Sequence, residues 1–224
     1  CVAIGDLTMS GALDAAASGT VAVGKSALAA LTSGAGNTAI GYQAMAANTI
    51  GTTSVAIGYN AMLTHDGGLR NIAIGYAAMD DTDAGGASKA SDDNIFIGYG
   101  AGGGTWANAD CSNIVCVGSQ AMSGALNGDG ADGTVAIGKA ALYALTSGAQ
   151  NTAVGYLALT GLVTGTGNTA VGYQAANALG NAEQYNTSIG FGSMRDFDEG
   201  TGGSDINDNV ALGYDALRGA DCQS

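Results

Sequence analysis

The chain is expected to be all-β, a parallel β-solenoid built as a roll of about twelve coils, and three observations in the sequence predict this. The first is recurrence. An element of the form Thr38-Ala39-Ile40-Gly41-Tyr42-Gln43-Ala44-Met45 returns in varied form along the whole chain, with its glycine at Gly5, Gly24, Gly41, Gly58, Gly75, Gly98, Gly118, Gly138, Gly155, Gly172, Gly190 and Gly213. The steps are 19, 17, 17, 17, 23, 20, 20, 17, 17, 18 and 23 residues. Such a step is too short for a propeller blade or a helical hairpin, but it holds one coil of a solenoid. The second observation is alternation. Before each marker glycine, as in Val55-Ala56-Ile57, branched and small residues alternate with strand period. The third is a longer repeat: a shift of about 114 residues maps Gly24 to Gly138, Gly41 to Gly155 and Gly98 to Gly213. The chain therefore reads as two homologous blocks of about six coils each, 1–110 and 111–224, and duplication along an axis suits a rod or fibre.

Each part of the coil has a reading. The Val and Ile of the strand are expected on one face and Ala and Gly on the other, with the branched side chains filling the interior. Pairs such as Ala27-Leu28, Ala61-Met62 and Ala158-Leu159 are expected to add a second inward anchor. Loops such as Ser33-Gly34-Ala35-Gly36 carry turn residues. Four residues before the marker, Asn recurs at Asn37, Asn71, Asn94, Asn151, Asn168, Asn186 and Asn209, where it can hydrogen-bond its own turn and the next coil as a ladder. Directly after the marker, Tyr recurs at Tyr42, Tyr59, Tyr76, Tyr99, Tyr156, Tyr173 and Tyr214, with Phe191 as a variant. Coils about 4.8 Å apart would stack these rings, and twelve of them give a rod of roughly 58 Å. The ring row reads either as a stabilising stack or subunit contact, or as a ladder that contacts glycans.

Composition narrows the function. The chain has 224 residues with 39 Gly, no Pro and only 11% charged residues, and its mean hydropathy is positive, unlike a disordered polar tract. No apolar run approaches a membrane span, and Cys1-Val2-Ala3-Ile4-Gly5 already reads as coil rather than signal peptide. A net charge of −13 with 6 Lys plus Arg argues against nucleic acid and anionic membrane surfaces, and favours cations. The four cysteines fall at block seams. Cys111 and Cys116 suggest a disulfide within the chain, and Cys222 with Cys1 of the next copy suggests a head-to-tail link in an oxidising, extracellular setting. The alternative is buried free thiols.

The Asn-Thr-Ala-Val-Gly-Tyr-Gln-Ala element at Asn168 to Ala175 and its relatives resemble the head repeats of trimeric autotransporter adhesins and the repeats of bacteriophage tail fibres. The resemblance runs coil by coil over essentially the whole chain. It implies a left-handed parallel β-roll, often trimeric, on a cell surface or virion.

Two 23-residue steps hold matching acidic loops. Asp81, Asp83, Asp92 and Asp93 in the first correspond to Asp196, Asp198, Asn207 and Asp208 in the second. The two ends of each loop should return to one coil, where Ca²⁺ with its six to eight oxygen ligands would relieve the repulsion. The alternative is a solvated acidic loop. Gly98-Tyr99-Gly100-Ala101-Gly102-Gly103 matches G-x-G-x-x-G but lies in a repeat unit and not before a helix, so it is not read as a nucleotide site. His65-Asp66 has no placed nucleophile and reads as a solvated loop pair. Asn186-Thr187-Ser188 is an N-glycosylation sequon at a repeat corner. Thr38, Thr152, Thr169 and Thr187 form an interrupted row that only weakly suggests an ice- or mineral-binding face.

No nucleophile, base and oxyanion site assemble from these parts, so an enzyme is not expected. The expected function is a structural subunit of an extracellular fibre, whose copies stack end to end because open strand edges invite pairing. A trimeric rod is the other arrangement, and an adhesin or phage fibre head that binds cell-surface glycans is the other function.

Overall fold

The computed structural model describes residues 1–11, 13–14, 17–82, 91–106, 111–127, 130–196 and 206–219. Among the described residues, twelve three-residue strands form one sheet: β1 (Val2–Ile4), β2 (Val21–Val23), β3 (Thr38–Ile40), β4 (Val55–Ile57), β5 (Ile72–Ile74), β6 (Ile95–Ile97), β7 (Val115–Val117), β8 (Val135–Ile137), β9 (Thr152–Val154), β10 (Thr169–Val171), β11 (Thr187–Ile189) and β12 (Val210–Leu212). All pairs are parallel and follow sequence order, so each connection carries the chain once round and one step along an axis. This is the β-solenoid expected from the repeat. Register is position for position, as in Val55 with Ile72, Ala56 with Ala73 and Ile57 with Ile74. It continues across the position where the sequence repeat places a seam, with Ile95 paired to Val115. No helix among the described residues is long and apolar enough to cross a membrane.

Each marker glycine directly follows its strand, and all twelve have φ between +124° and +142°. A side chain is excluded there on two grounds. The dihedral is one that L-residues rarely adopt. In addition, a Cβ on Gly58 would overlap the carbonyl oxygen of Gly75 in the next coil, a relation that recurs at every marker from Gly24 to Gly190.

The turn after the marker is strained and tied to both neighbours. The second and fourth residues past the marker are left-handed, as at Gln43 (φ +52°) and Met45 (φ +54°). Each such non-glycine residue costs about 1–2 kcal/mol. The Gln43 N–H donates to the Lys25 carbonyl of the preceding coil at 2.9 Å, and the Met45 N–H to the Ala61 carbonyl of the following one at 2.9 Å. The second left-handed residue delivers its side chain to the interior. Leu28, Met45, Met62, Met79, Met122, Leu142 and Leu159 are fully buried, and burial of each contributes about 1.5–3 kcal/mol, offsetting the strain. The Ala-Leu and Ala-Met pairs are thus inward anchors, as expected.

The strands face the opposite way to the expectation. The central residue points inward: Ala22, Ala39, Ala56, Ala73, Ala136, Ala153 and Ala170 are fully buried. The flanking Val, Ile and Thr lie on the outer face, with Ile40, Ile57, Ile137, Val171 and Ile189 between 36% and 39% exposed. The interior already holds a Leu or Met from nearly every turn, so the strand opposite has room only for a small side chain. The exception supports this. At β6 the inward residue is Phe96, and the matching turn position is Gly102, where any Cβ would overlap the Phe96 ring. Trp106 packs edge-on against Phe96, with ring centroids 5.5 Å apart.

The asparagine ladder forms as expected. Oδ1 of Asn151 accepts the Asn168 backbone N–H at 3.0 Å, Oδ1 of Asn168 accepts that of Asn186 at 3.0 Å, and Oδ1 of Asn186 accepts that of Asn209 at 3.1 Å. Nδ2 of Asn168 donates to the Glu183 carbonyl at 2.7 Å. These amides are buried at one corner, where unpaired backbone groups would otherwise be costly.

Gly58→Ala is expected to lose at least about 2 kcal/mol in urea unfolding, because it adds both strain and overlap. Gly180→Ala should stay within about 0.5 kcal/mol of the parent, since a Cβ there meets the Glu183 carboxylate only at 3.4 Å, an ordinary contact.

Candidate functional site

The residue after each marker lies outside the sheet, and coil spacing brings successive rings into register. Tyr42, Tyr59, Tyr76 and Tyr99 stack with centroid separations of 4.9, 5.1 and 5.3 Å. Tyr156, Tyr173, Phe191 and Tyr214 form a second stack at 5.1, 4.9 and 5.5 Å. Interplanar angles of 4–14° make these near-parallel contacts, each contributing about 0.5–1.5 kcal/mol. Ser119 and Lys139 occupy the two coils between the stacks. Every ring in the two stacks is exposed along its edge, and Tyr99, last in the first stack, is 58% exposed.

Of the eight residues expected to hold Ca²⁺, Asp83 and Asp198 lie outside the described residues. Most of the others are engaged by the coil ladder. Oδ2 of Asp81 accepts from Thr105 Oγ1 at 2.6 Å. Asp92 Oδ1 accepts the Leu69 N–H at 2.8 Å, and Asn207 Oδ1 accepts the Gln184 N–H at 2.6 Å. Arg70 grips Asp93 with two bonds, Nε to Oδ1 at 2.6 Å and an Nη to Oδ2 at 2.8 Å. That pairing pulls the Asp93 carboxyl below its ordinary range and raises the Arg70 guanidinium, although solvent screening keeps the pair weak. Asp196 accepts from Arg218 Nε at 2.8 Å. The Asp208 N–H donates to the Gln184 carbonyl at 3.2 Å. Among the described residues no group of three His, Cys, Asp or Glu could hold a metal ion.

The expected Cys111–Cys116 disulfide does not form. Cys116 is a free thiol at the inward position of β7, between Phe96 and Ala136 in register, and its Sγ lies 3.5 Å from Met122 Sδ. Burial pushes its thiol well above the ordinary range, so it is inert. Cys111 is buried in the asparagine corner, where its carbonyl accepts from Asn94 Nδ2 at 2.9 Å. The two cysteines thus serve different walls of the coil. Cys1 is an exposed thiol, and Cys222 lies outside the described residues. Asn186, the sequon residue, is 1% exposed, and its Nδ2 donates to the Ile206 carbonyl at 2.6 Å. A nitrogen so placed leaves no room for a sugar.

His65 is not a solvated loop residue. It is fully buried, with Nδ1 2.9 Å from Thr82 Oγ1 and Nε2 3.1 Å from Asn71 Nδ2. The Asn71 amide also donates to the Ser91 carbonyl at 2.7 Å, so Nε2 is the acceptor and Nδ1 carries the proton. Asp66 turns instead to Thr49, whose N–H and hydroxyl both donate to its Oδ1 at 2.7 Å. No His–carboxylate dyad exists here. Burial holds the His65 pKa down to about 4, despite the opposing influence of Asp66 and Asp92.

One surface feature escaped the sequence reading. The third strand residue is Val, Ile or Leu in all twelve strands, and this row lies on the outer face. The signal was present in Thr38, Thr152, Thr169 and Thr187, which share that face and mark it as a surface. No family model, no curated protein and no solved structure matches the chain.

His65 sets a pH dependence. Its folded pKa of about 4 lies below the ordinary value near 6.5, so the unfolded chain takes up the proton first. Stability is full above about pH 6.5 and falls as pH drops toward about 4. Measured by urea unfolding at pH 7 and pH 4.5, the parent should lose on the order of 2–3 kcal/mol more than His65→Asn, a variant that copies Asn48 one coil earlier.

Proposed function

We propose that the chain is a structural subunit of an extracellular fibre, a rigid rod that assembles with copies of itself. The observation that carries this reading is the outer row of Ile4, Val23, Ile40, Ile57, Ile74, Ile97, Val117, Ile137, Val154, Val171, Ile189 and Leu212. It is unbroken, apolar and roughly 53 Å long at the ordinary strand spacing. Contiguous exposed apolar surface of this length is uncommon on a solitary protein and marks a protein contact. Side-by-side packing of rods, as in a trimer, would cover it. Coils of the same geometry stacked on the β1 and β12 sides would lengthen the rod, so that side and end contacts together make a fibre. The rest of the molecule serves stiffness: backbone bonds to both neighbouring coils, a buried amide ladder and stacked rings.

The solvent-exposed tyrosine stacks favour a second reading, a fibre head that grips cell-surface glycans along the ring row.

Electron microscopy with sedimentation analysis tests the first reading. The purified chain should form rods in multiples, laterally paired or bundled and elongating with concentration. Ile57→Lys combined with Ile137→Lys should release single rods of unchanged circular dichroism. Single short rods from the parent at every concentration would overturn self-assembly.

A further inference from the structure

Of the nine tyrosines, all but Tyr143 and Tyr185 lie in the two ring stacks. Coil translation fixes how these rings meet. Tyr42 and Tyr59 lie with centroids 4.9 Å apart and planes 14° from parallel, and Tyr156 and Tyr173 at 5.1 Å and 12°. Rings related in this way hold equivalent ortho carbons at about the separation of their centroids. Inside a stack the neighbours cover the ring faces, so solvent reaches the edge, where the ortho carbons and the hydroxyl lie. The sulfurs and the indole of these coils are out of reach: Met45, Met62, Met79, Met122, Trp106 and Cys116 are buried. Thioethers and thiols would otherwise be oxidised readily. An oxidant arriving at this flank therefore meets phenols.

A phenol that loses one electron and its proton becomes a tyrosyl radical, with spin density on the ortho carbons. Two such radicals on neighbouring coils are one side-chain rotation apart. Exposed side chains rotate in picoseconds to nanoseconds, and partners held in place react far faster than partners that must meet by diffusion. Coupling inside the chain is thus favoured over coupling between chains.

We propose that the tyrosine stacks are sites of oxidative cross-linking, where rings of adjacent coils join as dityrosine and staple the rod. The oxidant is hydrogen peroxide, used by a haem peroxidase in one-electron steps. Two tyrosines and one peroxide give one dityrosine and two waters. Each phenol gives up one electron and one proton, and the peroxide O–O bond breaks as it takes both. A carbon–carbon bond forms ortho to the two hydroxyls, and the displaced ortho hydrogens move to the ring oxygens as aromaticity returns. Phe191 limits the second stack. It lies between Tyr173 and Tyr214 at 4.9 and 5.5 Å but carries no phenol, which leaves Tyr156 with Tyr173 as the coupling pair there. Ser119 and Lys139 hold the two stacks apart. The inference uses the ring stacks alone and stands whether or not the rods assemble.

The test uses the whole chain with Cys1→Ser and Cys222→Ser, so that neither thiol consumes oxidant or joins chains, at a dilution where rods are dispersed. It is treated with a haem peroxidase and hydrogen peroxide, then read by denaturing gel, intact mass and sequencing of cross-linked peptides. The chain should stay monomeric on the gel, lose two hydrogens per link, and yield Tyr156–Tyr173 together with links among Tyr42, Tyr59, Tyr76 and Tyr99. Tyr185, at 58% as exposed as Tyr99 but stacked on no other ring among the described residues, should remain unlinked. Tyr59→Phe keeps the stack and should remove every link to Tyr42 while sparing Tyr76–Tyr99. Phe191→Tyr should add a link to Tyr173 or Tyr214. Circular dichroism of both variants before oxidation checks that the fold is kept, and the linked chain should unfold at a higher urea concentration than the unlinked one. Links at Tyr143 and Tyr185 as frequent as those within the stacks would overturn the proposal. So would covalent dimers in place of internal links, or oxidised rings with no links at all.

Discussion

The whole molecule depends on one close approach, the marker glycine of each coil lying on the carbonyl of the next. A Cβ at Gly58 has no space against Gly75, and the same relation repeats along the rod. Because the chain reverses direction at this point with φ near +135°, the following turn can be short. The short turn then requires two left-handed residues, and these throw a Leu or Met to the inside. Twelve strands of only three residues could not hold a sheet alone. They hold because backbone bonds join each inner coil to both neighbours, and most coils add an amide or a ring to the ladders.

That approach also decides which face of the strand is buried. A coil narrow enough to stack its glycines leaves the strand centre room for alanine, and the branched residues are turned outward. Phe96 is accommodated only because Gly102 vacates the same space. An apolar outer row follows from the geometry of the interior, and with it a surface suited to self-association. Structure and proposed function are linked there: a tighter core makes a stickier rod.

Much of this was legible. The marker glycines, the period and the in-register stacking of Asn and Tyr could be read directly, since identical residues at a fixed step must lie above one another in a stack. The side-chain direction could not be read from alternation alone, because period 2 says that two faces differ but not which is inside. Hydrophobicity pointed to Val and Ile, while volume, which needs the turn anchors to be placed first, selects Ala. The seam cysteines misled for a related reason. Only four residues separate Cys111 from Cys116, but the corner between them sends one to the asparagine wall and the other into the strand interior.

The orientation of the strands is the point on which both the packing argument and the self-assembly reading rest. Cysteine accessibility measures it directly. In a background with Cys1→Ser and Cys222→Ser, Ala56→Cys and Ile57→Cys place a thiol on adjacent residues of β4, and both are treated with a water-soluble alkylating reagent under native conditions at a concentration where the rods are dispersed. The expected result is rapid labelling at position 57 and protection at position 56 until the chain unfolds. Protection at 57 with rapid labelling at 56 would mean that the branched residues fill the interior, and would contradict the packing described here together with the assembly surface derived from it.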